Sequence, residues 1–113
     1  KTIEALTQRA AIEPNNPEAY YTISTYYWDK AYRDFRLKEP EKRAFVLKGI
    51  EQIDKALQLK PDYMEALTYK NLLLRLQANL EKDQATQSAL LKEADKLRDQ
   101  ALALQKKQAA GIK

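Results

Sequence analysis

The chain has 113 residues, with 20 Lys and Arg against 16 Asp and Glu, a net charge of +4, and neither Cys nor His. That length supports one small core rather than two, and the mix of 44% hydrophobic and 32% charged residues with only 2 Gly and 4 Pro is that of an ordered, helix-rich chain. Without Cys there are no disulfides, thiolate nucleophiles or cysteine-ligated metal sites, and without His the commonest metal ligand and the usual neutral-pH base are missing, so no enzyme, catalytic residue, metal or cofactor is expected.

Four prolines and a few cap residues divide the rest into five predicted helices, because proline lacks an amide donor and suits only a first turn. The first, over 2–12, carries Ile3, Leu6, Ala10 and Ala11 on one side. Pro14 closes it. The second, over 17–36, opens on Asn16-Pro17-Glu18, whose side-chain oxygen and acidic first turn suit free amides. It has one stripe of Tyr20, Ile23, Tyr27 and Ala31 and a neighbouring one of Tyr21, Trp28, Tyr32 and Phe35. The third, over 40–59, begins at Pro40 and repeats Val46, Gly49, Ile53 and Leu57 at helical spacing. The fourth, over 63–81, follows Pro61, with Asp62 and Glu65 spaced as a capping box. The fifth, over 84–108, starts after Asp83, a natural cap, and carries Leu90, Ala94, Leu97, Ala101 and Leu104. No segment alternates long enough to argue a strand, and no apolar run approaches the roughly 20 residues that span a bilayer. The basic residues are dispersed except at Lys106, Lys107 and Lys113, a solvated helix end.

The junction Ile12-Glu13-Pro14-Asn15-Asn16-Pro17-Glu18-Ala19 recurs 47 residues on, as Leu59-Lys60-Pro61-Asp62-Tyr63-Met64-Glu65-Ala66. This run resembles the tetratricopeptide repeat, in which an apolar-acidic-Pro-Asn-Asn turn leads into a helix beginning Glu-Ala-aromatic. On that resemblance the family's large residues fall on Tyr20, Ile23, Tyr27 and Ile53, and its small ones on Ser24, Gly49 and Ala56. The family period is about 34 residues, so roughly 13 extra residues lie between Lys30 and Gly49. These add roughly two turns to each helix, zipped by Ala31, Tyr32 and Phe35 against Ala44, Phe45 and Leu47. In the second hairpin Ala94, Ala101 and Leu104 fit the pattern. Lys70, Asn71 and Arg98 depart from it, and no proline closes it.

The resemblance implies an all-α fold of antiparallel hairpins stacked as a short right-handed α-solenoid of about five helices in one domain. Residues 1–14 are the second half of a truncated repeat, which leads us to expect sequence upstream of Lys1. Residues 15–61 are an elongated repeat, 62–108 a divergent capping repeat and 109–113 a tail. It further implies a non-enzymatic scaffold whose concave groove holds a protein or peptide. The groove positions carry over to Glu18, Tyr21, Thr25, Trp28 and Asp29 in the first hairpin and to Glu65, Thr68, Leu72, Arg75 and Leu76 in the second. Trp28 and Tyr21 are the candidate anchors, since aromatics with a polar handle dominate protein interfaces. Trp28, Tyr32 and Phe35 are equally spaced to pack on Phe45 and Leu47 inside the hairpin, and that alternative stays open. A self-assembling, homo-oligomeric role is the second reading. Nucleic-acid binding through the basic tail is a distant third and is not expected. The compartment is left open.

Overall fold

The computed structural model describes residues 2–111 and is all-α, with five helices among them: α1 (Ile3–Ile12), α2 (Pro17–Arg33), α3 (Glu39–Leu59), α4 (Met64–Leu80) and α5 (Gln84–Gly111). Four of the five starts have a local side-chain cause. Thr2 Oγ1 accepts the Ala5 amide at 3.1 Å for α1, Asn16 Oδ1 accepts that of Glu18 at 3.0 Å for α2, and Asp83 Oδ2 accepts that of Thr86 at 3.0 Å for α5. Hydrogen bonds from the Thr86 hydroxyl and amide hold the Asp83 carboxyl below its ordinary pKa. For α3 the Lys38 amide donates to Glu41 Oε1 at 3.1 Å, the half of a capping box that a lysine allows, since an ammonium accepts nothing.

Three local expectations are corrected. First, α2 stops at Arg33 instead of Arg36, because the Asp34 carboxylate accepts both the amide and the Nε of Arg36 at 3.1 Å and turns the chain. Phe35 therefore leaves the helix and is 89% exposed, Tyr32 is 62% exposed and Leu47 lies open as well, so the expected zipper reduces to buried Ala31 and Val46 with Phe45 beside Tyr27. The extra length goes to α3, with 21 residues against 17 in α2. Second, Asp62 and Glu65 make no capping box: α4 begins at Met64 behind Tyr63 with no side-chain cap. Third, α5 continues to Gly111, past the expected end at Gln108. Lys113 lies outside the described residues.

Among the described residues α1 packs on α2, α2 on α3, α4 on both α2 and α3, and α5 on α4 alone. The order follows from where the small residues sit. Gly49 lets α3 approach α4 and α2 together: a methyl group there would stand 3.0 Å from Leu73 Cδ2 and 3.4 Å from Tyr27 Cβ. Around that contact Ala31, Val46, Ile53, Ala56, Ala66 and Leu73 form a fully buried cluster. A second joins α4 to α5 through Leu67, Leu74, Ala94, Leu97 and Ala101. A third joins α1 to α2 through Leu6, Ala10, Ala19 and Ile23.

The two hairpins bury equivalent positions. At an offset of 47 residues, Ala19, Ser24 and Ala31 of α2 correspond to Ala66, Asn71 and Ala78 of α4, all buried. At an offset of 45, Gly49 and Ala56 of α3 correspond to Ala94 and Ala101 of α5, also buried. Ser24 and Asn71 are the polar pair among them, and Ser24 is a fully buried hydroxyl whose Oγ has no hydrogen-bond partner. Removing an unpaired buried polar group while gaining helix propensity is favourable. Ser24→Ala is therefore expected to raise stability by about 1 kcal/mol, read as a higher urea midpoint at unchanged slope.

Candidate protein-binding face

The α2–α4 seam is filled by an unbroken row of aromatic rings. Tyr63 packs on Tyr21 with centroids 5.2 Å apart, Tyr21 meets Tyr69 edge-on at 5.4 Å, Tyr69 meets Trp28 edge-on at 5.7 Å, and Trp28 stacks on Tyr32 at 4.8 Å and 10°. These are the offset and T-shaped separations that ring quadrupoles favour. The row follows from helical spacing: Tyr21, Trp28 and Tyr32 share one face of α2, and Tyr69 comes from the facing side of α4. Burial in the row pushes the Tyr21 phenol up to about 12, reinforced by Tyr69 and then Tyr63.

Beside the row, residues of α4 and α5 together with Tyr21 line a cleft of ≈ 380 Å³. Tyr21, Met64, Tyr69, Ala101 and Leu102 supply its apolar surface, while Glu65, Thr68, Asn71, Arg98 and Gln105 supply its polar rim. Asn71 is only 9% exposed. Its Oδ1 accepts Arg75 Nε at 2.8 Å, which leaves the amide hydrogens as donors. Arg75 in turn holds Asp95 through a 2.6 Å bond from Nη2, and that bond keeps the Asp95 carboxyl below its ordinary pKa. The network pins the middle of α5 to α4 at one end of the cleft. Arg98 is less tied, with 3.5 Å to Asp95 and 3.3 Å to Asp99 on its own helix.

The expected groove residues fall into separate places. Tyr21 and Trp28 stand half-buried in the aromatic row, where Trp28 makes its ring contacts with Tyr69 and Tyr32, and Tyr27 takes the place beside Phe45. Tyr21, Glu65 and Thr68 come together at the cleft. Leu76 packs against the central cluster, Leu72 is half-buried, and Arg75 belongs to the network with Asn71 and Asp95. Thr25 turns its hydroxyl back to the Thr22 carbonyl at 2.7 Å. Glu18 is held at 3.1 Å by Arg9 of α1. Asp29 is paired with Arg33 at 2.8 Å and lines a different hollow, beside Phe35 at the end of the first hairpin. Tyr63, Tyr69 and Leu102 are the contributors that spacing alone missed. For Asn71 and Arg98 the signal was present, as polar residues where the repeat pattern wants a small residue and a ring. Among the described residues no helix is long and apolar enough to cross a membrane.

The chain matches no family model, no curated protein and no solved structure.

Proposed function

We propose that this chain is a non-enzymatic scaffold of the tetratricopeptide-repeat type that holds a protein or peptide along the face running from α2 over α4 to α5. The observation that carries the reading is the cleft: Tyr21, Glu65 and Thr68, three positions marked by the repeat resemblance, line one apolar hollow with a polar rim. Apolar walls with a few convergent polar groups are the usual make-up of a recognition site. The matching burial of the two hairpins, at Ala19 and Ala66, Ser24 and Asn71, and Gly49 and Ala94, supports descent from one repeated unit. A short array of stacked hairpins offers neighbouring helices as an extended binding surface.

The test is affinity capture with the intact chain and with Thr68→Arg, followed by quantitative comparison of what each retains. Thr68 is exposed and its hydroxyl serves only the Met64 carbonyl of its own helix, so the variant is expected to melt within about 2 °C of the parent. A protein retained by the parent and lost at least tenfold on Thr68→Arg supports the reading. Equal retention by both would remove this face from the binding site, and retention of nothing above a mock column would sink the proposal.

A further inference from the structure

We infer that the cleft beside the aromatic row binds a small amphipathic carboxylate, a free molecule with one carboxylate on an apolar body, and that Asn71 and Arg98 receive its headgroup. Its occupancy is independent of protein recognition.

The first hairpin supplies the internal standard. At the offsets that match the two hairpins, Asn71 of α4 answers Ser24 of α2, and Arg98 of α5 answers Ile53 of α3. Ser24 and Ile53 are both 0% exposed, so the first hairpin closes with a small residue and an aliphatic one at these places. The second hairpin sets an amide and a guanidinium there, and both line the one cleft. Since the first hairpin is built without them, packing alone calls for neither.

Asn71 carries an open donor. The Arg75 Nε bond at 2.8 Å fixes which end of the amide is Oδ1, and among the described residues no acceptor meets Nδ2. A side chain only 9% exposed holds such a donor at a cost unless something accepts from it. Ser24 Oγ is unpaired as well, but it is sealed inside the protein, whereas Asn71 opens on the cleft. Arg98 adds the charge. Its contacts with Asp99 at 3.3 Å and Asp95 at 3.5 Å are long and half-exposed, and Asp95 already takes Arg75 at 2.6 Å. A guanidinium with five N–H groups keeps donors for a further carboxylate, the partner its fork fits best.

The remaining walls describe the body of the ligand. From Asn71 back to Met64, α4 rises roughly 10 Å, and Met64, Tyr69, Ala101 and Leu102 make the cleft apolar. Leu102 is 46% exposed and gains from apolar cover. Glu65 lines the cleft nearer the start of α4 and repels a second negative charge, so the fitting molecule is a monoanion with its head at Asn71 and Arg98. A volume of ≈ 380 Å³ lies in the range of small-molecule sites.

The probe is sodium octanoate, titrated into the isotopically labelled intact chain and followed by amide shifts. Saturation is expected with Kd of about 1 mM, in keeping with a ligand of about ten non-hydrogen atoms, and with the largest shifts at Asn71, Arg98, Ala101 and Leu102. Arg98→Gln should weaken octanoate about tenfold, the loss of one charged hydrogen bond, and leave the affinity for octanol, which has the same body without the charge, unchanged. Arg98 is half-exposed, and an unchanged urea midpoint verifies that the variant folds as the parent does. No saturation by about 10 mM, equal octanoate affinity on Arg98→Gln, octylamine or octanol binding the parent as tightly as octanoate, or shifts centred outside the cleft would each overturn the carboxylate site. A protein captured by the parent and lost on Thr68→Arg, with no octanoate binding, would leave the proposed function standing and refute this site. Octanoate binding with nothing captured would do the reverse.

Discussion

Gly49→Leu is expected to destabilise the fold by about 3 kcal/mol or more, while Gly49→Ala stays within about 1 kcal/mol of the parent. Two effects compete at this position. A glycine inside a helix costs about 1 kcal/mol relative to alanine, so any side chain begins with an advantage. Against it stands the space: even a methyl would sit 3.0 Å from Leu73 Cδ2, and Leu73 is itself fully buried with little room to give. For alanine the two roughly cancel. For leucine the added atoms must enter the contact between α3, α4 and Tyr27, and overpacking wins. At roughly 4 °C per kcal/mol for a domain of this size, the leucine variant should melt more than ~10 °C below the parent. Leu73→Ala alone should cost about 3 kcal/mol as a cavity, and less in the Gly49→Leu background, where the cavity accommodates the new side chain. Additive losses in that cycle would show that Gly49 and Leu73 do not meet.

Tyr69→Ala is expected to do comparable damage by a different route. Tyr69 is the one ring of α4 that touches both Tyr21 and Trp28, so truncating it opens the aromatic row at its centre. Removing a partly buried aromatic should cost about 2–3 kcal/mol, at the low end for such truncations because the ring is only half-covered. The electrostatic signature is more specific than the stability loss. Tyr21 titrates near 12 because of burial first and Tyr69 second, so exposing it should bring that phenol back toward 10. A raised phenol pKa contributes stability that is complete below the unfolded value near 10 and is lost as pH climbs through the folded value near 12. The parent should therefore weaken across that alkaline interval, and the variant should lose less of its remaining stability there. Tyrosinate absorbance during a pH titration checks this, and Tyr69→Phe, which keeps the ring and its cover but loses the phenol, should keep the larger part of the upward shift, which comes from burial, and lose the smaller part that comes from the Tyr69 charge.

What the sequence disclosed and what it withheld divide along a physical line. Signals that act within a few residues were readable. Asn16, Pro17 and Asp83 mark helix starts because a cap is made by a side chain two or three positions away. Periodicity gave the face of each helix, so Tyr21 and Trp28 were recognised as belonging together. It did not give the neighbour. Trp28 was equally suited to Phe45 or an open groove, and its ring contacts with Tyr69, on another hairpin, depend on the close approach at Gly49. Failures also came from local competition. Asp34 captures the Arg36 amide and ends α2 a turn early, throwing Phe35 into solvent although its spacing fits the stripe. Asp62 and Glu65 have capping-box spacing, but α4 starts one residue later than the box requires. Asn71 and Arg98 were visible as misfits of the repeat, and both line the cleft. Leu102 gave no sign, because an apolar residue on a helix stripe looks the same whether or not something covers it.

Protein recognition along α2, α4 and α5 is the central claim, and amide shift mapping on isotopically labelled chain tests it most directly. A protein that the parent retains and Thr68→Arg loses would be titrated into the labelled chain, in order to follow which amides move. The account predicts the largest changes at Glu65, Thr68, Tyr69 and Asn71 on α4 and at Arg98, Ala101 and Leu102 on α5, with Tyr21 joining them from α2. Changes confined to α1, to the exposed turn around Phe35, or to the outer side of α3, with these residues unmoved, would contradict it.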